Sequence, residues 1–252
     1  MSELHVVALS GGKDSTAMAL RLAEVEPREY LYVCTPTGDE LPAMWAHWRR
    51  LGELLGAPIQ PIMVAGGLDG LIKRQRALPS WRMRWCTRML KIEPWKAFLI
   101  KRAAKHSLVV SYVGLRADEP EREGGDFGDV PNTVSRFPLR EWSWGLADVI
   151  AYNATHGIEV PPRTDCARCF YQTIGEWWAL WADHPAAFAD AERQEAWVSE
   201  ERGRLTTFRS DGRDSWPASL SGLRARFEAG ERPAHAGQGD LFSANKCRVC
   251  RI

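Results

Sequence analysis

No apolar run in this chain approaches the roughly 18–20 residues that a membrane-spanning helix needs. The first residues, Met1-Ser2-Glu3-Leu4-His5, lack the charged and apolar segments of a secretory leader. The expectation is a cytoplasmic protein with no membrane partner. Charge of one sign is also lacking: 33 Lys and Arg stand against 32 Asp and Glu, a net charge of +1. That excludes a polybasic protein overall but leaves room for a local basic face. The 6 histidines form no metal-spaced cluster. No internal repeat and no long low-complexity stretch is present. With 45% hydrophobic and 26% charged residues, wholesale disorder is excluded as well. The 252 residues fit one large domain, or one domain with a sizeable appendage. Disulfide staples are not expected in the cytosol. The 6 cysteines therefore point to metal or redox chemistry, and their spacing matters.

The first half alternates short apolar runs with helical patterns, which predicts a parallel α/β sheet flanked by helices. Strands are expected over residues 4–9, 30–34, 59–64 and 108–114. Helices are expected over residues 16–24, 41–55 and 91–105. Residues 119–132 are rich in Gly, Pro and charge and read as a loop. Ser143 is a candidate cap for a helix over 144–154. Helical patterns follow at 176–182 and 186–202, and residues 210–239 read as irregular. The expected division is a nucleotide-binding α/β domain over 1–140 and a helical, cysteine-bearing region over 141–252.

Ser10-Gly11-Gly12-Lys13-Asp14-Ser15 follows the first expected strand and opens the first expected helix. Glycines let a backbone approach a phosphate closely, and free N–H groups at a helix start hold its charge. Lys13 adds a point charge, and Ser10 and Ser15 add hydroxyl donors. The loop is not a Walker sequence, which needs GxxxxGK[ST]. The bland alternative is an ordinary Gly-rich strand-to-helix turn.

The loop resembles the pyrophosphate loop of the PP-loop nucleotide enzymes. Further segments resemble their phosphoadenosine-phosphosulfate reductase-like branch. Thr35-Pro36-Thr37-Gly38-Asp39-Glu40 is similar to its "DTG…E" segment, and Gly114-Leu115-Arg116-Ala117-Asp118-Glu119 to its "GxRxxE" segment. Phe137-Pro138-Leu139, Trp142 and Ala147-Asp148-Val149 follow in the family's order. The resemblance implies an adenine nucleotide alpha hydrolase-like fold. It implies nucleotide contacts from Ser10, Gly11, Gly12, Lys13, Asp14, Ser15 and Gly38, with Arg116 as a further anion contact. A surface charge paired to Asp118 or Glu119 is the alternative for Arg116.

Cys166-Ala167-Arg168-Cys169 puts two thiols within reach of one metal centre, and iron–sulfur or zinc sites usually take four ligands. With Cys86 upstream, the pattern resembles the CC…CxxC arrangement that holds a [4Fe-4S] cluster in adenosine-phosphosulfate reductases. The family's double cysteine is Trp85-Cys86 here, so one ligand is missing. Cys250 or Cys247 is a candidate to supply it, or one iron stays open. Zinc and unliganded thiols are the alternatives. The resemblance to the reductases, whose C-terminal cysteine is the nucleophile, also makes Cys247 and Cys250 candidates for a redox nucleophile, with exposed, disordered thiols as the third reading of the tail; Lys13 is the catalytic charge of the loop. Cys34, in an expected buried strand, is read as packing.

Every charged residue from Lys73 to Lys105 except Glu93 is basic, and Trp81, Trp85 and Trp95 are interleaved. Such a mixture can hold extra phosphates or a nucleic-acid backbone with stacked bases, or be a solvated helix face. Trp177, Trp178 and Trp181 have the helical spacing of a core face. Two reactions fit. One is reduction of an adenylyl sulfonucleotide, with a thiol reductant as partner. The other is ATP-driven, Mg²⁺-assisted adenylation followed by sulfur insertion, with a sulfur-donor protein and a nucleic-acid or small-molecule acceptor. A non-catalytic nucleotide-binding module is the third reading, and a homodimer is a further expectation.

Overall fold

The computed structural model of the chain describes residues 2–123 and 125–234. Among them is a five-stranded parallel sheet in the order β3-β2-β1-β4-β5. The strands are β1 (Glu3–Ala8), β2 (Leu31–Cys34), β3 (Gln60–Pro61), β4 (Leu108–Tyr112) and β5 (Thr133–Arg136). Helices α1 (Lys13–Val25), α2 (Pro42–Leu54), α3 (Gly67–Gln75) and α5 (Glu93–Ala103) make the crossovers, with a single turn α4 (Trp85–Thr87) before a π-helical turn at Arg88–Ile92. After the sheet come α6 (Pro138–Glu141), α7 (Leu146–Thr155), α8 (Ile174–Asp183), α9 (Pro185–Arg202) and α10 (Leu220–Glu228).

The central strand β1 is covered on both faces, and its fully buried residues are the apolar pair Val6 and Val7. Val7 packs with Met18 and Leu22 of α1 on one side. Val6, the neighbour with opposite pleat, packs with Trp95 and Leu99 of α5 on the other. The strand order reverses direction between β1 and β4, and the crevice at the carboxyl ends of those two strands is where α/β sheets bind ligands. The loop over residues 9–12 and the segment Val113–Arg116 both leave the sheet at that crevice.

Several expectations are corrected. The strand over 59–64 shrinks to Gln60–Pro61, because Pro61 has no N–H for a ladder and lies exposed at the sheet edge. Ser143 does not cap: it has φ 57, and the helix starts later, with the Gly145 N–H donated to Asp148 and the Leu146 N–H to Asp118. Within the stretch read as irregular, α10 forms, with Ser219 accepting the Gly222 N–H at 3.2 Å. Strand β5 and helix α3 have no counterpart in the sequence reading.

A second core joins the cysteine-bearing region to the sheet domain. Trp177 of α8, Phe188 of α9 and Phe227 of α10 pack in one cluster with Leu71 and Ile72 of α3 and with Leu90. Inside that region Glu195 of α9 is 5% exposed and accepts the backbone N–H groups of Leu220 (2.7 Å) and Phe208 (2.8 Å). Burial pushes its carboxyl up to about 7, against the pull of those two donors. A folded-state value above the unfolded one means the proton is held more tightly when folded. The resulting stabilisation is full below the unfolded value of 4.5 and is lost as pH rises through about 7. Urea midpoints are therefore expected to fall between about pH 5 and 8 by more in the native chain than in Glu195→Gln, a difference worth roughly 3 kcal/mol.

Candidate functional site

The loop after β1 is built from its own hydroxyls. Ser15 Oγ accepts the Gly11 N–H at 3.2 Å, donates to the Gly12 carbonyl at 3.1 Å and lies 3.0 Å from Ser10 Oγ. The Gly12 N–H is donated to Ser10 Oγ at 3.3 Å. Gly11 stands at φ +80, and Gly12 is the N-cap of α1 without a side-chain cap. The backbone donors at the start of α1 thus face no capping side chain, which suits an anion. Lys13, the first residue of α1, makes no ion pair among the described residues. The Asn153 amide of α7 donates to the Lys13 carbonyl at 3.1 Å and ties the helix start to the later region.

The resemblance assigns Arg116 to an anion, whereas the structure assigns its guanidinium to carboxylates. Arg116 is 2% exposed and meets Asp14 at 3.2 Å, Asp118 at 2.8 Å and Glu119 at 3.1 Å. Burial opposes its charge, and the Asp14, Asp118 and Glu119 carboxylates more than offset that, holding it above its ordinary range. Asp14, its partner at 3.2 Å, lies in the first turn of α1. Gly114 explains the close fit: a Cβ there would stand 3.2 Å from the Ser15 backbone.

After β2 the chain turns at Gly38, φ +81. The Glu40 carboxylate closes this turn by accepting the N–H groups of Thr37 (2.6 Å) and Gly38 (2.9 Å) and the Thr37 hydroxyl (2.7 Å). The Asp39 backbone carbonyl accepts the Ala167 N–H at 2.7 Å, and Glu40 pairs antiparallel with Cys166. The Asp39 carboxylate accepts the Arg168 backbone N–H at 2.9 Å and its Nε–H at 2.7 Å. Arg168 also reaches Asp69 at 2.8 Å. Both side chains of the Arg168–Asp39 pair are less than a tenth exposed. Asp39, Glu40 and Arg168 are thus the residues that dock the CxxC segment on the sheet. Sequence reading missed these roles, although an arginine between two cysteines and an acidic pair after Gly38 were the available signals.

The consequence is convergence. Cys86, Cys166 and Cys169 line one pocket with Thr37, Lys91 and Tyr171. Cys86 comes from α4 and the other two from the segment between α7 and α8, so only tertiary structure unites them. Thr164 lies beside the nucleotide loop, its Oγ1 3.7 Å from where a Cβ on Gly12 would stand. Two residues of chain span at most about 7 Å, so Cys166 is near that loop. Burial pushes the Cys86 thiol up to about 11, with Cys166 adding to it and Lys91 opposing. A hydrogen bond with Cys166, and then burial, hold Cys169 well above the ordinary thiol range.

The donor type of these three thiols fits a soft metal or a cluster. Among the described residues no group of three or more His, Cys, Asp or Glu side chains is placed to hold a metal ion. Cys247 and Cys250 lie outside the described residues. Cys34 is packed with Met44 and Trp48, as its strand position predicts.

The family model described as the phosphoadenosine phosphosulfate reductase domain matches residues 4–179. No curated protein matches the chain. Among solved structures, phosphoadenylyl-sulfate (PAPS) reductase from Candida auris, in a phosphate complex, is similar at a TM-score of 0.45 and 14% identity, over 64% of this chain and 75% of that one. No helix among the described residues is long and apolar enough to cross a membrane.

Proposed function

The chain belongs to the phosphoadenosine phosphosulfate reductase domain family, and from that premise we propose that it reduces an adenylyl sulfonucleotide at the three-cysteine pocket. The observation that carries this reading is the segment Thr164–Cys169, which runs from the phosphate loop to the thiols. The α1 N-terminus and Lys13 hold the nucleotide phosphates, leaving the sulfate end toward Cys166. The Cys166 thiolate attacks the sulfate sulfur, a sulfur–sulfur bond forms, and the sulfur–oxygen bond to the nucleotide breaks. The adenine nucleotide leaves with that electron pair, and Cys166 carries a thiosulfonate. Cys169, hydrogen-bonded to Cys166, then attacks the Cys166 sulfur. Sulfite leaves and a Cys166–Cys169 disulfide remains, to be reduced by two electrons from an external dithiol.

The test is sulfite release from adenylyl sulfate and from its 3′-phosphorylated form, with a dithiol present. Cys166→Ser is expected to lower that rate by on the order of 10³-fold or more, since the nucleophile itself is lost. No sulfite from either nucleotide overturns the reading. Iron, zinc and acid-labile sulfide measured on the same preparation decide whether the thiols are ligands instead.

ATP-driven sulfur transfer is the second reading. It is favoured by the intact Ser10–Ser15 network, with Lys13 free of ion pairs among the described residues, an arrangement suited to a pyrophosphate leaving group with Mg²⁺. It requires pyrophosphate and AMP from ATP only when an acceptor is present.

A further inference from the structure

We propose that a single-stranded nucleic acid binds across the turn Ser80–Met83, with a base stacked at Trp81 and its phosphates on the surrounding arginines and lysines. The inference goes beyond the sulfonucleotide reading and stands whichever nucleotide the loop holds. It starts from an exposed feature that folding does not explain. Trp81 is 56% exposed and Met83 48% exposed, side by side with charged neighbours. Together they leave an aromatic face and a thioether in water at one turn, a surface a planar, apolar-faced partner can cover.

The turn is held in shape. Ser80 and Met83 exchange backbone hydrogen bonds at 3.3 and 3.1 Å, and Ser80 Oγ accepts the Met83 N–H at 3.2 Å. Trp81 and Arg82 are therefore presented at the tip of a closed turn. The Arg82 guanidinium lies 4.7 Å from the Trp81 ring centroid. Among the described residues Arg82 pairs with no carboxylate. A flat ring already carrying a cation is the arrangement on which a base stacks, with the cation left for the phosphate.

Along the chain, charge on both sides of the tip is mostly of one sign, although Arg76 is paired with Glu201 at 3.4 Å. Lys73, Arg74 and Arg88 are exposed nearby in the chain, and Glu93, paired with Arg88 at 3.5 Å, is the single acid from Lys73 to Lys105. An acidic peptide would match the charge but leave the indole face without a planar partner. A duplex would match the charge but keep its base faces stacked away from Trp81. Single strands satisfy both features at once.

The tip also leads to the chemistry. Pro79 on one side of the turn and Cys86 on the other both line the thiol pocket. Arg84, between the tip and Cys86, lies 5.7 Å over the ring of Tyr171, another lining residue. The turn is thus continuous in the chain with two residues of the pocket wall.

The experiment is fluorescence anisotropy of the full chain with labelled oligo(dT) and oligo(U) of about 20 nucleotides, titrated between about 50 and 200 mM salt. Binding is expected at low salt. Trp81→Ala is expected to weaken it by about 10-fold, the size of one lost base stack. Arg82→Ala is expected to weaken it and to lower the log–log salt slope by about 0.7, one phosphate contact on a single strand. Both positions are exposed, and an unchanged thermal midpoint verifies that the variants fold. Adenine-nucleotide binding is measured in parallel. It should be unchanged in Trp81→Ala and lost in Lys13→Ala, which separates failure of this surface from failure of the nucleotide site. Three results overturn the proposal: no anisotropy change at low salt, wild-type affinity in Trp81→Ala, or equal competition by duplex DNA or by polyglutamate of matched charge.

Discussion

Arg168→Ala is expected to destabilise the chain by about 3–5 kcal/mol, the cost of stranding a buried carboxylate by removing its partner. Asp39 is that carboxylate. Its side chain is 8% exposed, and Arg168 contacts it through the backbone N–H and through the guanidinium. Alanine keeps the backbone contact and removes the charge. The same guanidinium holds Asp69 of α3 at 2.8 Å, so the loss also loosens α3 from the CxxC segment. Arg168→Lys restores a charge but not the forked geometry and is expected to recover only part of the loss. Urea unfolding of the three proteins measures this. A destabilisation below about 1 kcal/mol for Arg168→Ala would place the pair among those that contribute little. Reactivity of Cys166 and Cys169 toward a thiol reagent is expected to rise in parallel, because the segment between them is what the pair docks.

Gly11→Ala is expected to lower nucleotide affinity by on the order of 10²-fold, combining backbone strain with overpacking. At φ +80 an L side chain is strained whatever space surrounds it. There is no space either: the new Cβ would stand 2.3 Å from Met44 Cε and 2.7 Å from Trp48 Nε1. The methionine end can swing away. The indole, 7% exposed and packed with Cys34 and Met44, cannot do so cheaply. The loop must move instead, and the backbone donors at the start of α1 move with it. Gly12→Ala is the control. Its φ is −75, and its Cβ would meet only Ser10 Oγ at 3.4 Å and Thr164 Oγ1 at 3.7 Å. A markedly smaller loss of affinity is expected there, read by titration calorimetry. Equal losses at both glycines would contradict the role given to the positive φ.

The α/β class was legible because the central strands are buried on both faces and so are written as apolar runs. Elements whose burial is one-sided or local were harder. Strand β5 carries Thr133, Ser135 and Arg136, which do not read as a strand until β4 is there to pair with them. Helix α10 has a modest apolar face, Leu220, Leu223 and Phe227, that becomes a helix face against Trp181 and Trp216. The expected anion contact at Arg116 came from its place in a motif. Its three carboxylate partners follow two different strands, so no local spacing shows them together.

The amino-acid sequence by itself determined the loop Ser10–Ser15 between a strand and a helix, because its pattern is local: two glycines, a lysine and two hydroxyls lie within six consecutive residues. It also determined that Cys166 and Cys169 are neighbours and that positive charge collects before Lys105. Only the tertiary structure decided that Cys86 joins them, that Asp39 and Arg168 carry the CxxC segment to the end of β2, and that Trp81 is exposed while Trp95 is core. The physical reason is that burial and long-range pairing depend on which surfaces the sheet order and the shared core bring together, and no local spacing encodes them.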